Sequence, residues 1–451
     1  MTKSELLGQI CAEFERAQTS DPVPWTPTPG RISFPPQLPV GNGMHLDATN
    51  ELLAAVKSYG DLVHQDSVLL RSSFSTKEFS SMVRLAFGRT LESLGTQTPD
   101  PDQLGRAVDQ ALETEIGART KDVVLLLGCW LFEDDDDAYP VNVGPVTFHT
   151  RIGWLDEQAT AGELSSITAR RLRRQWSGEK VARRKRGFDQ DKESGIADAV
   201  DRCPVVCAVR THGLSIDLTE QKGLLAARLA MTALALPWAD PQVALEHMNL
   251  IYDGGPRNRH YAIAYEGGFG SGSSWVNLPR GQSSIQSLAE VLTVYRPTFE
   301  VVGEALEAYV NPHAPVRRPK VSNALFLSLW WFHQGCREAS DQMAVTAFAA
   351  SLDALAAGGH AGGIKRLIKA RLGLEGSDAL MTDGRTTSAV INGVYDSGRS
   401  RFIHGSSNDY AEDWGGRRGT ARAVARLLLL QVTHWLQTHP EVVDMKELQV
   451  A

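Results

Sequence analysis

The chain has 451 residues, 42% of them hydrophobic and 22% charged, with a formal net charge of −7. These proportions belong to a soluble globular chain of about two to four domains, and they exclude a disordered chain, a collagen and a disulfide miniprotein. The mildly acidic total argues against nonspecific coating of nucleic acid or membrane, yet leaves room for a local basic groove. The first predicted element is a short amphipathic helix carrying Glu5, Glu13 and Glu15, which does not read as a signal peptide. A proline-dense arm follows, with seven of the 21 prolines between residues 21 and 43. Such a stretch is extended or turning. Three helical patterns come next. The first starts at Thr49 or Asn50 as its cap; the second places Phe79, Met82, Leu85 and Phe87 on one face. The third spaces Leu104, Val108, Leu112 and Ile116 four apart.

At residue 122 the pattern changes. Residues 123–132 are the longest apolar run, far short of the roughly 20 residues a bilayer span needs, and read as a buried strand. Residues 143–155 read as a further strand segment, 204–218 as a strand pair, and 260–278 as two strands around a glycine-serine loop. Residues 222–236 form a helix, and 283–310 a helix interrupted at Pro297. The stretch 311–320 has three prolines in ten positions and reads as a linker. Beyond it the pattern is helical throughout. Leu325, Leu329, Phe332 and Cys336 share one face, and a last helix is apolar over most of its circumference. The expected class is α+β. Residues 1–121 form an arm and helical region, 122–310 a mixed region, 311–319 the linker, and 320–451 a helical bundle.

Chemistry concentrates in the fourth bundle helix, where Arg399, Ser400, Arg401, Phe402, Ile403 and His404 precede Gly405. Residues five apart lie about 140° apart on an ideal helix. Arg399 and His404 therefore share a cleft if the arginine reaches along the helix or the helix tightens at its end. Gly405 suits a left-handed cap, which puts His404 in the last turn, where the helix dipole favours the imidazolium. Arginine forks onto two phosphate oxygens, and histidine with arginine suits metal-free phosphodiester cleavage. With 34 arginines and 12 histidines, an Arg-x4-His match arises about once by chance, so context must carry the reading.

That context is an ordered set of segments: a tryptophan-bearing helix at 323–340, a small-residue helix at 344–356 containing Asp353, a basic helix at 365–373, then VYDSGRSRFIHG and a closing apolar helix. Residues 320–440 resemble the HEPN domains of the ApeA-like branch, whose Tyr-x3-Arg-x4-His-Gly signature matches Tyr395, Arg399, His404 and Gly405. The resemblance implies a dimerising bundle that cuts RNA without metal or cofactor, with Arg399 and His404 catalytic and Ser400, Asp353 and Tyr395 supporting. It further implies a homodimer, a phage-derived trigger, and toxin-like antiviral defence by abortive infection, with tRNA among the candidate substrates. Gly398 departs from a good helix former and should loosen the helix. Two alternatives stay open: a catalytically silent HEPN module that binds nucleotide or RNA, and a dimerising scaffold.

Nine of the 17 residues from 170 to 186 are basic. Arg170, Arg171, Arg173, Arg174, Arg183, Arg184, Lys185 and Arg186, with Arg401, are candidate RNA contacts, and Trp176 is a candidate stacking platform. The alternative is a solvated face balancing nearby acids. The acidic run 133–137 reads as an exposed turn, and Cys203, Cys207 and His212 as half a zinc pattern at most, with buried thiols favoured. Five scattered cysteines without a secretion signal read as reduced thiols, hence a cytoplasmic chain without membrane partners. Trp330, Trp331, Phe332 and Trp435 supply apolar surface for the expected dimer.

Overall fold

The computed structural model describes residues 1–19, 35–95, 100–132, 138–254, 259–265, 268–274, 288–405 and 413–450. The chain is α+β: mainly helical, with one five-stranded sheet and two hairpins among the described residues. It divides into two compact units. The first comprises Met1–Val123, Thr211–Gln221 and Asn311–His313; the second comprises Val124–Arg210, Lys222–Val310 and Ala314–Ala451.

In the first unit, helices α1 (Lys3–Thr19), α2 (Asn50–Asp66), α3 (Val68–Ser73), α4 (Thr76–Leu94) and α5 (Pro101–Arg119) accompany a hairpin of β1 (Gln37–Gly41) and β2 (Met44–Asp47). Thr49 caps α2, accepting the Leu52 N–H at 3.0 Å. Phe79, Met82, Phe87, Leu104, Val108 and Leu112 meet in one core, with Ile116 half-buried against it, while Leu85 is half-buried. Gly88 of α4 is required there: a Cβ would lie 2.1 Å from the Pro39 carbonyl oxygen of the hairpin.

The sheet is built from β3 (Lys121–Trp130), β4 (Val141–Val143), β5 (Val146–Thr150), β6 (Val205–Leu214) and β7 (Asn249–Leu250), in the order β4-β5-β6-β3-β7. Three expectations change here. The strand expected through residue 155 ends at Thr150, whose hydroxyl accepts the Gly153 N–H and starts α6 (Arg151–Thr160). The expected strand pair at 204–218 is one ten-residue strand, β6. It lies between β5 and β3 and is buried on both faces over most of its length, so its apolar run is continuous rather than alternating. The glycine-serine segment Gly268–Ser274 is itself a strand, β9, paired antiparallel with β8 (Arg259–Tyr265). The acidic run 133–137 and the proline arm from 20 to 34 lie outside the described residues. Helices α7 (Ser166–Trp176) and α8 (Phe188–Val200) pack on α6 and each other through Trp154, Leu155, Leu172 and Ile196.

Helices α9 (Ile216–Ala235), α10 (Pro241–His247), α11 (Leu288–Val294) and α12 (Arg296–Val310) precede the C-terminal helices. These are α13 (Pro319–Arg337), α14 (Asp341–Leu355), α15 (His360–Leu372), α16 (Thr387–Val394), α17 (Arg401–Ile403) and α18 (Trp414–Thr438). Helix α14 packs against both α13 and α18, and α12 packs against α18 and α13. The second unit thus includes residues on both sides of the proline-rich stretch. Arg318 in that stretch is 2% exposed and bonds both Glu304 of α12 and the Leu436 carbonyl of α18 at 2.9 Å, which makes it a packed corner. Buried hydroxyls pair between helices, Ser328 with Ser351 at 2.9 Å and Thr298 with Thr433 at 3.0 Å, so no desolvation penalty is left unmet there. Among the described residues, no helix is long and apolar enough to cross a membrane.

Candidate active site

Between α16 and α17 the helix widens into a π turn, Tyr395–Ser400. The Arg401 N–H reaches the Asp396 carbonyl five residues back, so one extra residue is accommodated per turn. Through Tyr395–Ser400 the helix thus widens, whereas tightening at its end was one of the two routes by which Arg399 and His404 could share a cleft. The cause of the widening is visible at Gly398. This residue is pressed against α14, and a Cβ would lie 2.9 Å from Val345 Cγ1 and 3.1 Å from the Gly393 carbonyl oxygen. The glycine that propensity marks as a weakness is what permits the close approach.

The π turn gathers four side chains. Arg399 Nη1 donates to the Tyr395 hydroxyl at 2.7 Å, and the guanidinium carbon stands 5.1 Å from the Tyr395 ring centre. Tyr395 is buried and bonds towards Asp353 Oδ2 at 3.4 Å. Burial first, then the Asp353 charge, raises the Tyr395 phenol above its ordinary value of 10.0 against the opposing pull of Arg399, so the hydroxyl keeps its proton. The fourth member is His360, whose Nδ1 lies 2.6 Å from the same hydroxyl and whose N–H donates to Asp353 Oδ1 at 2.8 Å. Arg399 has five N–H donors; among the described residues it uses one, on Tyr395, and no carboxylate pairs with it. A half-buried guanidinium with open donors is a receptor for an oxyanion.

His404 stands at the end of α17. Its N–H bonds the Ser400 carbonyl at 3.0 Å, and Gly405 follows at φ +64°, the left-handed cap expected from the sequence. The His404 side chain is exposed and makes no hydrogen bond or ion pair among the described residues. The structure therefore brings Arg399, Tyr395 and Asp353 together and leaves His404 outside that hydrogen-bonded cluster. Ser400 contributes its carbonyl, and Arg401 is exposed on α17. His360 was missed by sequence reasoning, being 35 residues from Tyr395. Its only local signal is a pair of glycines, Gly358 and Gly359, ahead of a helix start. Beside the π turn lies a groove of about 410 Å³, lined by Arg385, Gly393, Val394, Asp413 and Arg417. Arg417 donates to the Ser397 carbonyl at 3.0 Å.

The basic segment divides in two. Arg171 bonds Glu193 at 2.7 Å, and Arg184 lies 3.6 Å from the same carboxylate and bonds Asp189. Arg174 pairs with Glu179 at 2.6 Å, and Arg173 with Asp156. Arg170, Arg183, Lys185 and Arg186 are exposed and have no partner among the described residues. Trp176, half-buried, packs against the core of α6–α8, and the Arg151 guanidinium lies over its ring at 5.7 Å. The five cysteines are buried and free, Cys203 and Cys207 included. His212 pairs instead with Asp122 at 3.1 Å. Of the aromatic residues expected at a dimer face, Phe332 is wholly buried, and Trp435 is flanked by His439 at 4.1 Å and Arg371 at 3.9 Å. Trp330 and Trp331 pack on each other, half-buried. Comparison of the chain with protein-family models, with curated proteins and with solved structures finds no match.

Proposed function

We propose that the chain is an endoribonuclease that cleaves RNA without a metal ion, in the manner of the HEPN domains that residues 320–440 resemble. The observation that carries this reading is Arg399: a half-buried guanidinium, oriented by a bond to Tyr395, with its remaining donors open among the described residues and His404 exposed at the end of the same helix. Arg399 would take two oxygens of the scissile phosphate and stabilise the charge that grows on the phosphorane. His404 would take the proton of the attacking 2′-hydroxyl. The products are a 2′,3′-cyclic phosphate and a 5′-hydroxyl. The groove beside the π turn, with Arg385 and Arg417, would receive the flanking strand. As a homodimer, the protein would offer His404 of the partner subunit as a second proton-transfer group, since a twofold axis repeats the same helix end. A role in antiviral defence by abortive infection, triggered by a phage component, belongs to the same proposal.

The test is RNA incubated with the protein in EDTA, with the ends of the fragments identified chemically. Cleavage to cyclic phosphate ends is expected. Activity that EDTA abolishes and Mg²⁺ restores would reject the mechanism, because arginine would then not be supplying the positive charge.

A further inference from the structure

The Arg399 cluster holds a histidine that no motif marks, and its two ring nitrogens differ in their surroundings. Nδ1 of His360 is fixed at 2.6 Å from the Tyr395 hydroxyl, the same oxygen that accepts the Arg399 bond at 2.7 Å. Nε2 makes no hydrogen bond among the described residues, and the residue is exposed. One nitrogen anchored and the other open is the disposition of a proton-transfer imidazole.

The Tyr395 hydroxyl can serve either protonation state of that ring. With the ring neutral, the tyrosine proton goes to Nδ1, which leaves the ring hydrogen on Nε2. With the ring protonated, Nδ1 donates to the hydroxyl, and the tyrosine proton turns to Asp353 Oδ2 at 3.4 Å. Asp353 also holds the His360 backbone through the 2.8 Å bond to its N–H. The backbone there is left-handed, φ +53°, a conformation that residues with a Cβ adopt at a cost. The Asp353 bond sustains it. Arg399 and His360 reach one oxygen, so an oxyanion taken by the open donors of Arg399 would lie near this ring.

We propose that His360 is the proton donor to the leaving group, acting in the same site and the same chain as Arg399. The inference rests on the endoribonuclease reading. As the 2′-oxygen bonds to phosphorus it gives its proton to His404. The bond from phosphorus to the 5′-oxygen breaks, and that oxygen takes the proton from His360 Nε2. No proton is gained or lost overall, and exchange with water resets both rings. A second copy of His404 is then not needed for the chemistry.

The experiment uses the full chain with His360→Asn, since asparagine tolerates a left-handed backbone. Cleavage is measured on RNA and on a ribonucleoside 3′-(4-nitrophenyl phosphate), whose nitrophenolate leaves without a proton. RNA cleavage is expected to fall by about 10²–10⁴-fold, the usual size of a general-acid contribution, while the aryl ester is cut at close to the wild-type rate. Equal losses on both substrates would make the role structural and overturn the proposal. Undiminished RNA cleavage would overturn it too and leave the endoribonuclease reading standing, whereas a wild-type chain that cuts no RNA would remove both. Mixing Arg399→Ala with His360→Asn chains checks the shared location. No recovery is expected, and restored cleavage would separate the two residues into different chains.

Discussion

Arg399 and His404 are separated by five positions but differ in how the protein holds them. The guanidinium is oriented by Tyr395, while the imidazole is exposed and without a partner among the described residues. Arg399→Ala should reduce RNA cleavage by about 10²–10³-fold through lost charge stabilisation. Arg399→Lys should recover only part of that, because lysine lacks the fork. His404→Ala should cost about 10²–10⁴-fold while changing stability within about 0.5 kcal/mol, as exposed positions do. Arg401→Ala, on the exposed α17, is the internal comparison and should matter less. Single-turnover cleavage rates and thermal melts on the four variants check this. A His404→Ala chain that folds and cuts at the wild-type rate would send the search for the base elsewhere. The motif residues were legible in the sequence because their spacing on one helix is local. His360 was not, because only the packing of α14, α15 and the π turn brings position 360 to position 395.

Among the elements, α7 and the segment after it show how one run of charge serves two ends. Arg171 and Arg184 converge on Glu193, a carboxylate only 4% exposed, and a buried carboxylate needs its partners. Arg170, Arg183, Lys185 and Arg186 face solvent. Changing these four to serine should weaken RNA binding and flatten its salt dependence, since fewer counterions are released, without lowering the melting temperature. Arg171→Ala should do the reverse, lowering the melting temperature with little change in the salt slope. Binding titrations at several salt concentrations, alongside melts, separate the two groups, and unchanged binding in the serine variant would return the segment to a solvated face. The sequence showed the charge but not its division, which depends on where α8 places Glu193. The same limit applies to Trp176. Its proximity to the basic residues suggested stacking, and only the fold shows that it packs half-buried against the core of α6–α8.

For the molecule as a whole, pH dependence follows from His333, buried in α13. The Thr232 hydroxyl donates to the Arg228 carbonyl, so it accepts from the His333 ring at 2.8 Å. Burial, reinforced by Arg337 and Arg228, pushes this imidazole down from 6.5 to about 3. Between those values the unfolded chain binds a proton at this residue and the folded chain does not. Stability is therefore whole above pH 6.5 and declines as pH falls towards 3, by about 1.4 kcal/mol for each unit well inside that window. Melts from pH 7 to 5 should show the decline, and His333→Gln, which can still donate to Thr232, should make it shallower. A slope untouched by the substitution would assign the acid sensitivity to other groups. By itself the sequence determined the α+β class, the helical C-terminal part, the cap at Gly405 and a cap at Thr49 or Asn50. These follow from periodicity, capping chemistry and spacing, all local along the chain. Only the tertiary structure decided that β6 is one buried strand, that Arg318 makes the proline stretch a packed corner, and that Gly398 opens a π turn against Val345. It alone placed His360 on the Tyr395 hydroxyl. Each of these depends on contact between residues far apart in the chain, and no local pattern encodes which distant surface a residue will meet.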